Sequence, residues 1–252
     1  MNAEAQLAVV ARGLRKSYGE GVSAVAALDG VSVSVPSGKF IAIMGPSGSG
    51  KSTLMQALAG LDSVDEGNIW IDGTEITTMR DAALTRLRRD RVGFVFQSFN
   101  LIATLTAEQN ILLPLNLARR RVDKEWMKQI VGALGISERL THKPHELSGG
   151  QQQRVAIVRA LITKPAVVFA DEPTGNLDSS SGAEVLRILR DSVDRFGQTV
   201  IMVTHDPGAA AHADEVVVLA DGKVRGHIAS PTVDSVIDAL RRLETPKAEA
   251  AS

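Results

Sequence analysis

The sequence contains no cysteine, a single tyrosine and few aromatic residues, which make up 4% of its 252 positions. Without cysteine the chain forms neither disulfides nor thiolate metal sites, and this composition is typical of proteins in a reducing cytoplasm. An excess of charge of either sign is also missing, because the formal net charge is −1. No overall basic field therefore favours nucleic acid as a partner.

Long hydrophobic runs are absent as well. The longest strongly apolar runs, such as Ala166–Ala170 and Val216–Ala220, fall far short of the ~20 residues that a membrane-spanning helix needs. Residues 1–10 lack a basic start followed by an apolar block, so we expect no secretory signal. No internal repeat is visible, so we expect no tandem of two similar domains. Any role at a membrane is expected to depend on a partner protein.

The apolar residues that are present, 44% of the chain, include several short runs typical of buried strands. The runs are Phe40–Met44, Val92–Phe96, Ala166–Ala170, Thr199–Val203 and Glu215–Leu219, and Val31–Val35 alternates like a half-buried strand. Helical segments separate most of these runs, which predicts an α/β fold with a mainly parallel sheet covered on both faces. Asp221 and Gly222 predict a hairpin turn after the last run.

A helical pattern extends over about 98–165, within a domain expected to span 7–230. Thr106 and Gln109 have the spacing of a capping box, and Asp123 is placed to cap a second helix. We therefore expect a helical subdomain inserted into the α/β core.

The C-terminal part of the chain predicts two more helices and a tail. Ser181–Phe196 is amphipathic and is followed by a glycine, and a last apolar stripe predicts a helix over 231–243. The Ala/Glu/Lys-rich segment 244–252 is predicted to be a disordered tail.

A glycine-rich segment after the first buried run carries phosphate-binding chemistry. Its residues are Gly45, Pro46, Ser47, Gly48, Ser49, Gly50, Lys51, Ser52 and Thr53. Glycines let backbone N–H groups turn toward the β- and γ-phosphates of a nucleotide, Lys51 adds positive charge, and the Ser52 hydroxyl is a ligand for Mg²⁺. A glycine-rich turn without a ligand is the alternative, and the strand–loop–helix context argues against it.

Asp171 and Glu172 follow the Ala166–Ala170 run and so stand at the carboxyl end of a strand, where α/β sheets bind ligands. Asp171 suits coordination of Mg²⁺, directly or through water, and Glu172 suits a general base for an attacking water. An acidic strand end that caps the next helix is the alternative. A phosphate-binding loop in the same chain favours the catalytic interpretation.

A third motif spans Leu147–Arg154 and begins a predicted helix. Its central residues are Ser148, Gly149, Gly150 and Gln151. The serine hydroxyl and the two glycine N–H groups offer a second anion site, although a simply capped helix start has the same residues. Following the phosphate loop and preceding the paired acids, this motif resembles the signature of ABC ATPases.

The resemblance to ABC ATPases implies a fold and an assembly. The implied fold is a P-loop NTPase (RecA-like) core with a mainly parallel sheet, an antiparallel β subdomain and an inserted helical subdomain. The implied ligands are ATP and Mg²⁺. The family also implies a head-to-tail homodimer that sandwiches two ATP molecules, in which residues 148–151 contact the γ-phosphate held by the other protomer.

Four further residues take roles from this resemblance. Gln97 would touch Mg²⁺ or the attacking water, and His205 would contact the γ-phosphate. Asp178 would face the other protomer, and Tyr18, placed before the first predicted strands, would stack on adenine. Taken alone, these would be a surface glutamine, a structural histidine, a turn residue and a packing aromatic. The residues implied as Mg²⁺ ligands are Ser52, Gln97 and Asp171.

A finer similarity lies in Val92–Leu101, Thr104–Pro114 and Ala59–Asp62, which resemble the bacterial macrolide-export, lipoprotein-release and cell-division group. That group implies an ATPase on the cytoplasmic face of the cell membrane, paired with a separately encoded FtsX-like permease. Export, lipoprotein release and mechanotransmission are all open to it. The alternative is a soluble ABC ATPase acting in DNA repair or translation, but this chain lacks the long coiled coils or joined ATPase halves typical of those relatives.

Two basic clusters remain outside these motifs. The first contains Arg86, Arg88, Arg89 and Arg91, and the second is Arg119–Arg121. Solvated helix faces are the simplest interpretation. Apposition to an anionic cytoplasmic leaflet is the alternative.

Overall fold

The computed structural model describes residues 6–19 and 25–244, with side chains as far as Leu243. The predicted tail 244–252 therefore lies outside the described residues apart from the backbone of residue 244. The strands are β1 Leu7–Tyr18, β2 Val25–Pro36, β3 Phe40–Met44, β4 Glu66–Ile71, β5 Thr74–Glu75, β6 Val92–Phe96, β7 Val167–Asp171, β8 Val200–Val203, β9 Glu215–Ala220 and β10 Lys223–Ala229. The helices are α1 Lys51–Leu58, α2 Asp81–Arg91, α3 Ala107–Leu117, α4 Lys124–Ala133, α5 Gly149–Leu161, α6 Ser179–Phe196, α7 Pro207–Ala210 and α8 Val233–Glu244, with short 3₁₀ turns at Ser137–Arg139 and Pro144–Glu146.

The larger sheet has six strands in the order β10-β9-β3-β8-β7-β6. All neighbours from β9 to β6 are parallel, and β10 pairs antiparallel with β9. The hairpin between β9 and β10 turns at Asp221 and Gly222, whose φ angles of 50° and 68° are those of a type I′ turn. The mainly parallel sheet and this hairpin confirm the predictions from the apolar runs.

Strand β3 lies at the centre of the fold, and its side chains alternate between two apolar cores. Phe40, Ala42 and Met44 enter the core that the sheet shares with the helices, including α5 and α6. Ile41 and Ile43 enter the second core, formed with α1 and the smaller sheet. Because both faces are buried, the strand is continuously apolar and carries the following loop on a rigid support.

The smaller sheet is antiparallel, with the order β2-β1-β4-β5. Its first strand, β1, runs for 12 residues and changes register several times against β2. Tyr18 ends this strand, whereas the sequence pattern places it before the first strands. That expectation is wrong because the register shifts interrupt the apolar alternation of β1 and hide the strand.

Helices α3, α4 and α5 lie between β6 and β7 and form the helical segment expected at about 98–165. Thr106 and Gln109 form the predicted capping box of α3, and the Asp123 carboxylate caps α4 by accepting from Trp126 N at 3.0 Å. The buried Asn110 side chain bonds the backbone of the preceding loop, accepting from Ile102 N at 2.8 Å. Within residues 6–19 and 25–244, no helix has the length and apolar composition needed to cross a bilayer.

Candidate functional site

The loop between β3 and α1 can be built only with glycine at two positions. Gly45 has φ 155°, and a Cβ on it would lie 1.8 Å from the Leu219 carbonyl oxygen. Gly50 has φ 97°, and a Cβ on it would lie 2.2 Å from the Ala27 carbonyl oxygen. The loop therefore packs closely against the end of β9 and the start of β2. At these two positions it has no side chain, so its backbone is what faces a bound ligand.

The N-terminus of α1 combines a helix dipole with a lysine. Gly50 is the N-cap and supplies no capping side chain, so the first N–H groups of α1 are left to other acceptors. Lys51 Nζ lies over the loop and donates to the carbonyl oxygens of Gly45 at 2.9 Å and Pro46 at 2.7 Å. Burial lowers the pKa of Lys51, and the Glu172 carboxylate opposes that shift. This arrangement suits an anion with several charges.

A pair of carboxylates stands at the carboxyl end of β7. Burial raises the pKa of Asp171, and the neighbouring Glu172 raises it further. Glu172 adopts φ 43°, a left-handed conformation unusual for this residue, and its N–H donates to the Val203 carbonyl at 2.9 Å. Its Oε1 lies 2.8 Å from His205 Nδ1. The predicted base and the predicted histidine are therefore in direct contact.

Gln97 lies across the strand ends from these acids, because Phe96 pairs with Asp171. Its Nε2 donates to Asn176 Oδ1 at 3.1 Å, and Asn176 Nδ2 donates to the Gln97 carbonyl at 3.2 Å. A Cβ at Gly175 would lie 2.7 Å from Gln97 Nε2, so the glycine permits this approach. The loop that follows Glu172 thus holds the glutamine in place.

Ser148 caps α5 as the sequence predicts. Its Oγ accepts from Gln151 N at 3.3 Å, and its own N–H donates to Gln151 Oε1 at 3.0 Å, which completes a capping box. The hydroxyl uses a lone pair in this bond and keeps its proton for another acceptor. Capping and anion binding by Ser148 are therefore compatible.

The two signature glycines lie beside the start of α6. A Cβ at Gly150 would come 3.2 Å from the Ser181 side chain, and one at Gly149 would come 3.2 Å from Leu177. Asp178 caps α6 and accepts from the hydroxyls of Ser180 and Ser181 at 2.6 and 2.7 Å. Hydrogen bonds from Ser180 and Ser181 hold the pKa of Asp178 far below its usual range.

Tyr18 lies near the first turn of α1. Its hydroxyl donates to Asp62 Oδ2 at 2.7 Å, and Lys16 Nζ lies 5.3 Å from the ring centroid. The Asp62 hydrogen bond raises the pKa of Tyr18, and a contact with the Thr53 side chain opposes that rise. Tyr18 is 45% exposed, so ring surface remains open beside the phosphate loop. Its role with adenine stays a prediction.

The residues present suit Mg²⁺. Ser52, Gln97 and Asp171 supply a hydroxyl, an amide and a carboxylate, the hard oxygen donors that this ion prefers. A nearby cation would also lower the pKa of Asp171 and so oppose the rise that burial causes. No group of three or more acids or histidines suited to a metal occurs in residues 6–19 and 25–244. This donor set suits an ion that takes its remaining ligands from water and phosphate.

The predicted site residues form two groups. The phosphate loop, Gln97, Asp171, Glu172 and His205 gather at the carboxyl edge of the six-stranded sheet. Residues 148–151 and Asp178 gather around the starts of α5 and α6. Between residues 148–151 and 45–53, the described part of the chain shows no hydrogen bond or ion pair.

Gln153 lies within the Leu147–Arg154 motif, but the sequence analysis assigns it no role. Its side chain is fully buried, and Nε2 donates to the carbonyl oxygens of Pro173 at 2.6 Å and Phe96 at 3.3 Å. These carbonyls flank Glu172 and Gln97. The available signal is a glutamine on the buried face of α5, in the same stripe as Ala156 and Ile157.

Arg159 is a second unpredicted contact between α5 and the loop after Gln97. Its guanidinium donates to the carbonyl oxygens of Phe99 at 2.9 Å and Asn100 at 2.5 Å. Phe99 and Asn100 have φ angles of 59° and 50°, so the loop makes a left-handed turn that this arginine secures. Helix α5 therefore touches both the Gln97 loop and the ends of β6 and β7.

Comparison with known proteins finds one family throughout. The family model for ABC transporters matches residues 28–175. The bacitracin export ATP-binding protein BceA of Halalkalibacterium halodurans is 42% identical over 216 residues, covering 85% of each chain. The macrolide export ATP-binding/permease protein MacB of Chlorobaculum tepidum is 47% identical over 211 residues, or 83% of this chain and 32% of that protein.

Solved structures with a similar fold are also ABC cassettes. A dimeric ATP-binding cassette of Methanocaldococcus jannaschii, in a post-hydrolysis state bound to ADP and Pi, is 39% identical with a TM-score of 0.78. The match covers 89% of this chain and 99% of that one. The likeness confirms the predicted P-loop NTPase fold class.

Proposed function

The chain belongs to the ABC transporter family as an ATP-binding ATPase, and from that premise we propose that it drives a separately encoded, FtsX-like membrane permease. ATP and Mg²⁺ are its ligands, and its assembly is a homodimer, as in the dimeric cassettes of similar fold. The named export functions of the relatives support work at a membrane. We place the protein at the cytoplasmic face, held there by the permease.

The observation that carries this proposal is an apolar groove beside the Gln97 loop. The groove has a volume of about 490 Å³ and lies between β6, the C-terminal half of α3 and α5. Its apolar lining includes Phe96, Leu113, Pro114 and Leu117. Leu117 is 71% exposed, which is costly for a leucine unless another surface covers it.

The groove is also mechanically connected to the catalytic edge. Asn100, which lines it, belongs to the turn that follows Gln97, and Arg159, which also lines it, holds that turn. A permease segment seated in the groove would therefore move together with Gln97. The turn that follows Gln97 would therefore respond both to ATP binding and to movement of the permease.

The chemistry follows from the residues at the sheet edge. Loop N–H groups and Lys51 bind the phosphates, and the carboxylate of Glu172 orients the attacking water and accepts its proton. His205 lies against the Glu172 carboxylate, with Nδ1 2.8 Å from Oε1, and would also contact the γ-phosphate. Ser52, Gln97 and Asp171 would hold Mg²⁺, which would supply positive charge to the phosphate oxygens.

We further infer that each site is completed by the other protomer. Residues 148–151 and Asp178 present a helix N-terminus, a free hydroxyl proton and two glycine N–H groups, and among the described residues they form no hydrogen bond or ion pair with the phosphate loop. In a head-to-tail dimer these groups would meet the γ-phosphate bound by the partner's loop. Hydrolysis would then require dimer closure.

Mixing two inactive variants tests the shared site. Lys51→Ala removes the phosphate loop's charge, and Ser148→Arg blocks the signature. In a mixed dimer, one site keeps both an intact loop and an intact signature, so turnover should return when the variants are combined. Thr106→Arg, at the capping box of α3, is the matched control for Ser148→Arg. If mixed dimers form but no turnover returns, the shared site is wrong.

Permease docking needs a separate test. The chain is reconstituted with the permease encoded beside it, and ATP turnover is measured with and without that permease. Leu117→Arg should lose most of the stimulated turnover, because it places a charge in an apolar contact. Val25→Arg, at a side chain 66% exposed on the smaller sheet, should retain it. Equal stimulation of both variants would contradict docking in this groove.

A further inference from the structure

Two arginine clusters that are distant in sequence meet beside the groove. A cavity of about 570 Å³ is bordered by the end of α2, the α3–α4 loop and the α5–β7 loop. Its charged lining residues are Arg89, Asp90, Arg91, Arg120 and Lys164. Arg119 and Arg121 flank Arg120 in the same exposed loop. We call Arg89, Arg91, Arg119, Arg120, Arg121 and Lys164 the arginine surface.

Acidic side chains neutralise only part of this surface. Asp90 is occupied by Arg89, which donates to both its carboxylate oxygens at 3.0 and 3.1 Å. Arg91 pairs with Asp72 at 2.9 Å and Lys164 with Asp123 at 2.9 Å.

The three loop arginines carry the excess charge. Within the described residues, no acidic side chain lies within ion-pair distance of Arg119, Arg120 or Arg121. Arg119 adopts φ 50°, which turns the chain sharply right after α3 and keeps the three arginines in a short exposed loop. Because the whole chain has a net charge of −1, this excess is a local feature and not the general character of the surface.

The arginine surface is continuous with the apolar groove. Arg89 and Thr163 line both the cavity and the groove, and the exposed Leu117 lies two residues before Arg119. Clustered cations next to exposed apolar side chains are typical of surfaces that bind anionic bilayers. Guanidinium groups suit phosphate oxygens, with which they form paired hydrogen bonds.

We propose that the arginine surface binds the phosphate headgroups of anionic phospholipids in the cytoplasmic leaflet. Its orientation toward the bilayer rests on the proposed function, because a permease seated in the groove would bring the adjoining surface close to the membrane. Among the described residues that line the cavity, none is aromatic, and this argues against single-stranded nucleic acid as the ligand. Lipid contact would align the motor with its permease before ATP acts.

The test uses the purified chain and vesicles, without permease. Vesicles contain phosphatidylcholine alone or with phosphatidylglycerol, and bound protein is measured by sedimentation. The variant carries Arg119→Gln, Arg120→Gln and Arg121→Gln. The control carries Lys39→Gln, Arg187→Gln and Arg242→Gln, three exposed cations on other surfaces. Both sets remove three positive charges, so the net charge falls equally, from −1 to −4.

We expect the wild-type chain and the control to bind anionic vesicles roughly tenfold better than neutral ones, and added salt should weaken that binding. The arginine variant should lose most of this preference, with basal ATP turnover unchanged in all three proteins. Inorganic phosphate at millimolar concentration should not compete, which separates a lipid surface from a site for the free ion.

Three outcomes would overturn the proposal. One is equal binding to neutral and anionic vesicles, and another is an equal loss in variant and control. The third is normal vesicle binding by the arginine variant. If that variant also loses stimulation in the separate reconstitution with the permease, the surface would be assigned to an acidic permease segment. Since no permease is present in the vesicle assay, its failure leaves the Leu117→Arg test of the proposed function intact.

Discussion

The two edges of the six-stranded sheet differ in how completely their polar groups are satisfied. At the carboxyl edge, Glu172 is held in a left-handed conformation and the half-buried Asp171 has a raised pKa. Beside them, the Lys51 ammonium is partly buried with a lowered pKa. Each of these features lowers the free energy of unfolding of the protein when no nucleotide is bound.

At the amino edge the polar groups are paired with backbone partners. Gln198 Nε2 donates to the carbonyl oxygens of Pro165 and Thr199, both at 3.2 Å. Gly38 N–H donates to Thr199 Oγ1 at 3.0 Å, and Phe40 N–H donates to Asp214 Oδ2 at 2.8 Å.

The comparison shows that one sheet carries its proposed reactive groups at one edge and its structural hydrogen bonds at the other. Parallel strands direct helix N-termini and connecting loops to the carboxyl edge, where ligands bind. Substitutions at the carboxyl edge should therefore change turnover more than stability, and those at the amino edge should do the reverse.

The largest expected effect is at Lys51. Lys51→Ala removes the cation above the loop, so ATP affinity should fall roughly 100-fold, the effect of losing charge-assisted hydrogen bonds to phosphate. Calorimetry with Mg·ATP measures this loss, and the Tm without nucleotide should stay close to that of the wild type. Unchanged ATP affinity would refute the assignment of the loop.

Glu172→Gln comes next. Loss of the proposed general base should lower kcat by about 10²–10⁴. ATP affinity should persist, and the variant should accumulate as an ATP-bound dimer detectable by size-exclusion chromatography. Turnover at the wild-type rate would remove Glu172 from the role of base.

A matched pair of buried glutamines compares the edges directly. Gln153→Met removes the bonds that join α5 to the catalytic strand ends, while Gln198→Met removes two equivalent bonds at the amino edge. Each should cost about 1–3 kcal/mol in unfolding free energy, because carbonyl oxygens lose their donor. Only Gln153→Met should also lower kcat, by roughly tenfold with little change in KM, since a misplaced catalytic group slows chemistry.

Denaturant unfolding and steady-state kinetics on both variants separate the two effects. Equal kcat values in two equally destabilised proteins would show that Gln153 has a structural role only.

The smallest effect concerns Asp171 and pH. Its pKa in the folded chain lies above the value of about 3.9 expected when unfolded, so the folded state binds more protons between the two values and loses stability as pH rises through them. Asp171→Asn removes that cost and should raise the Tm of the nucleotide-free protein by about 1–3 °C at pH 7. Thermal scans should show the gain shrinking as pH falls toward 4. A constant gain would contradict the burial effect.

Local signals in the sequence predicted much of the larger sheet. Strands β3 and β6 have the predicted bounds, and β7, β8 and β9 differ by a residue at one or both ends. Continuous apolar runs mark these strands because both faces are buried. The smaller sheet was harder to predict, because β4 and β5 are short and partly exposed. Helix α2 was also hard to predict, because none of its residues is fully buried and only Leu84 and Leu87 pack against the core.

The sequence alone determined the features that depend on neighbouring residues: the phosphate loop, the caps at Thr106, Asp123 and Ser148, and the acids at the end of β7. These follow from local backbone geometry and hydrogen bonding over a few residues. Only the tertiary structure decided which distant groups meet. Gln97 bonds a residue 79 positions away, Gln153 joins two strand ends, and the arginine surface unites three segments. Such contacts depend on how the whole chain packs, and no pattern of spacing encodes them.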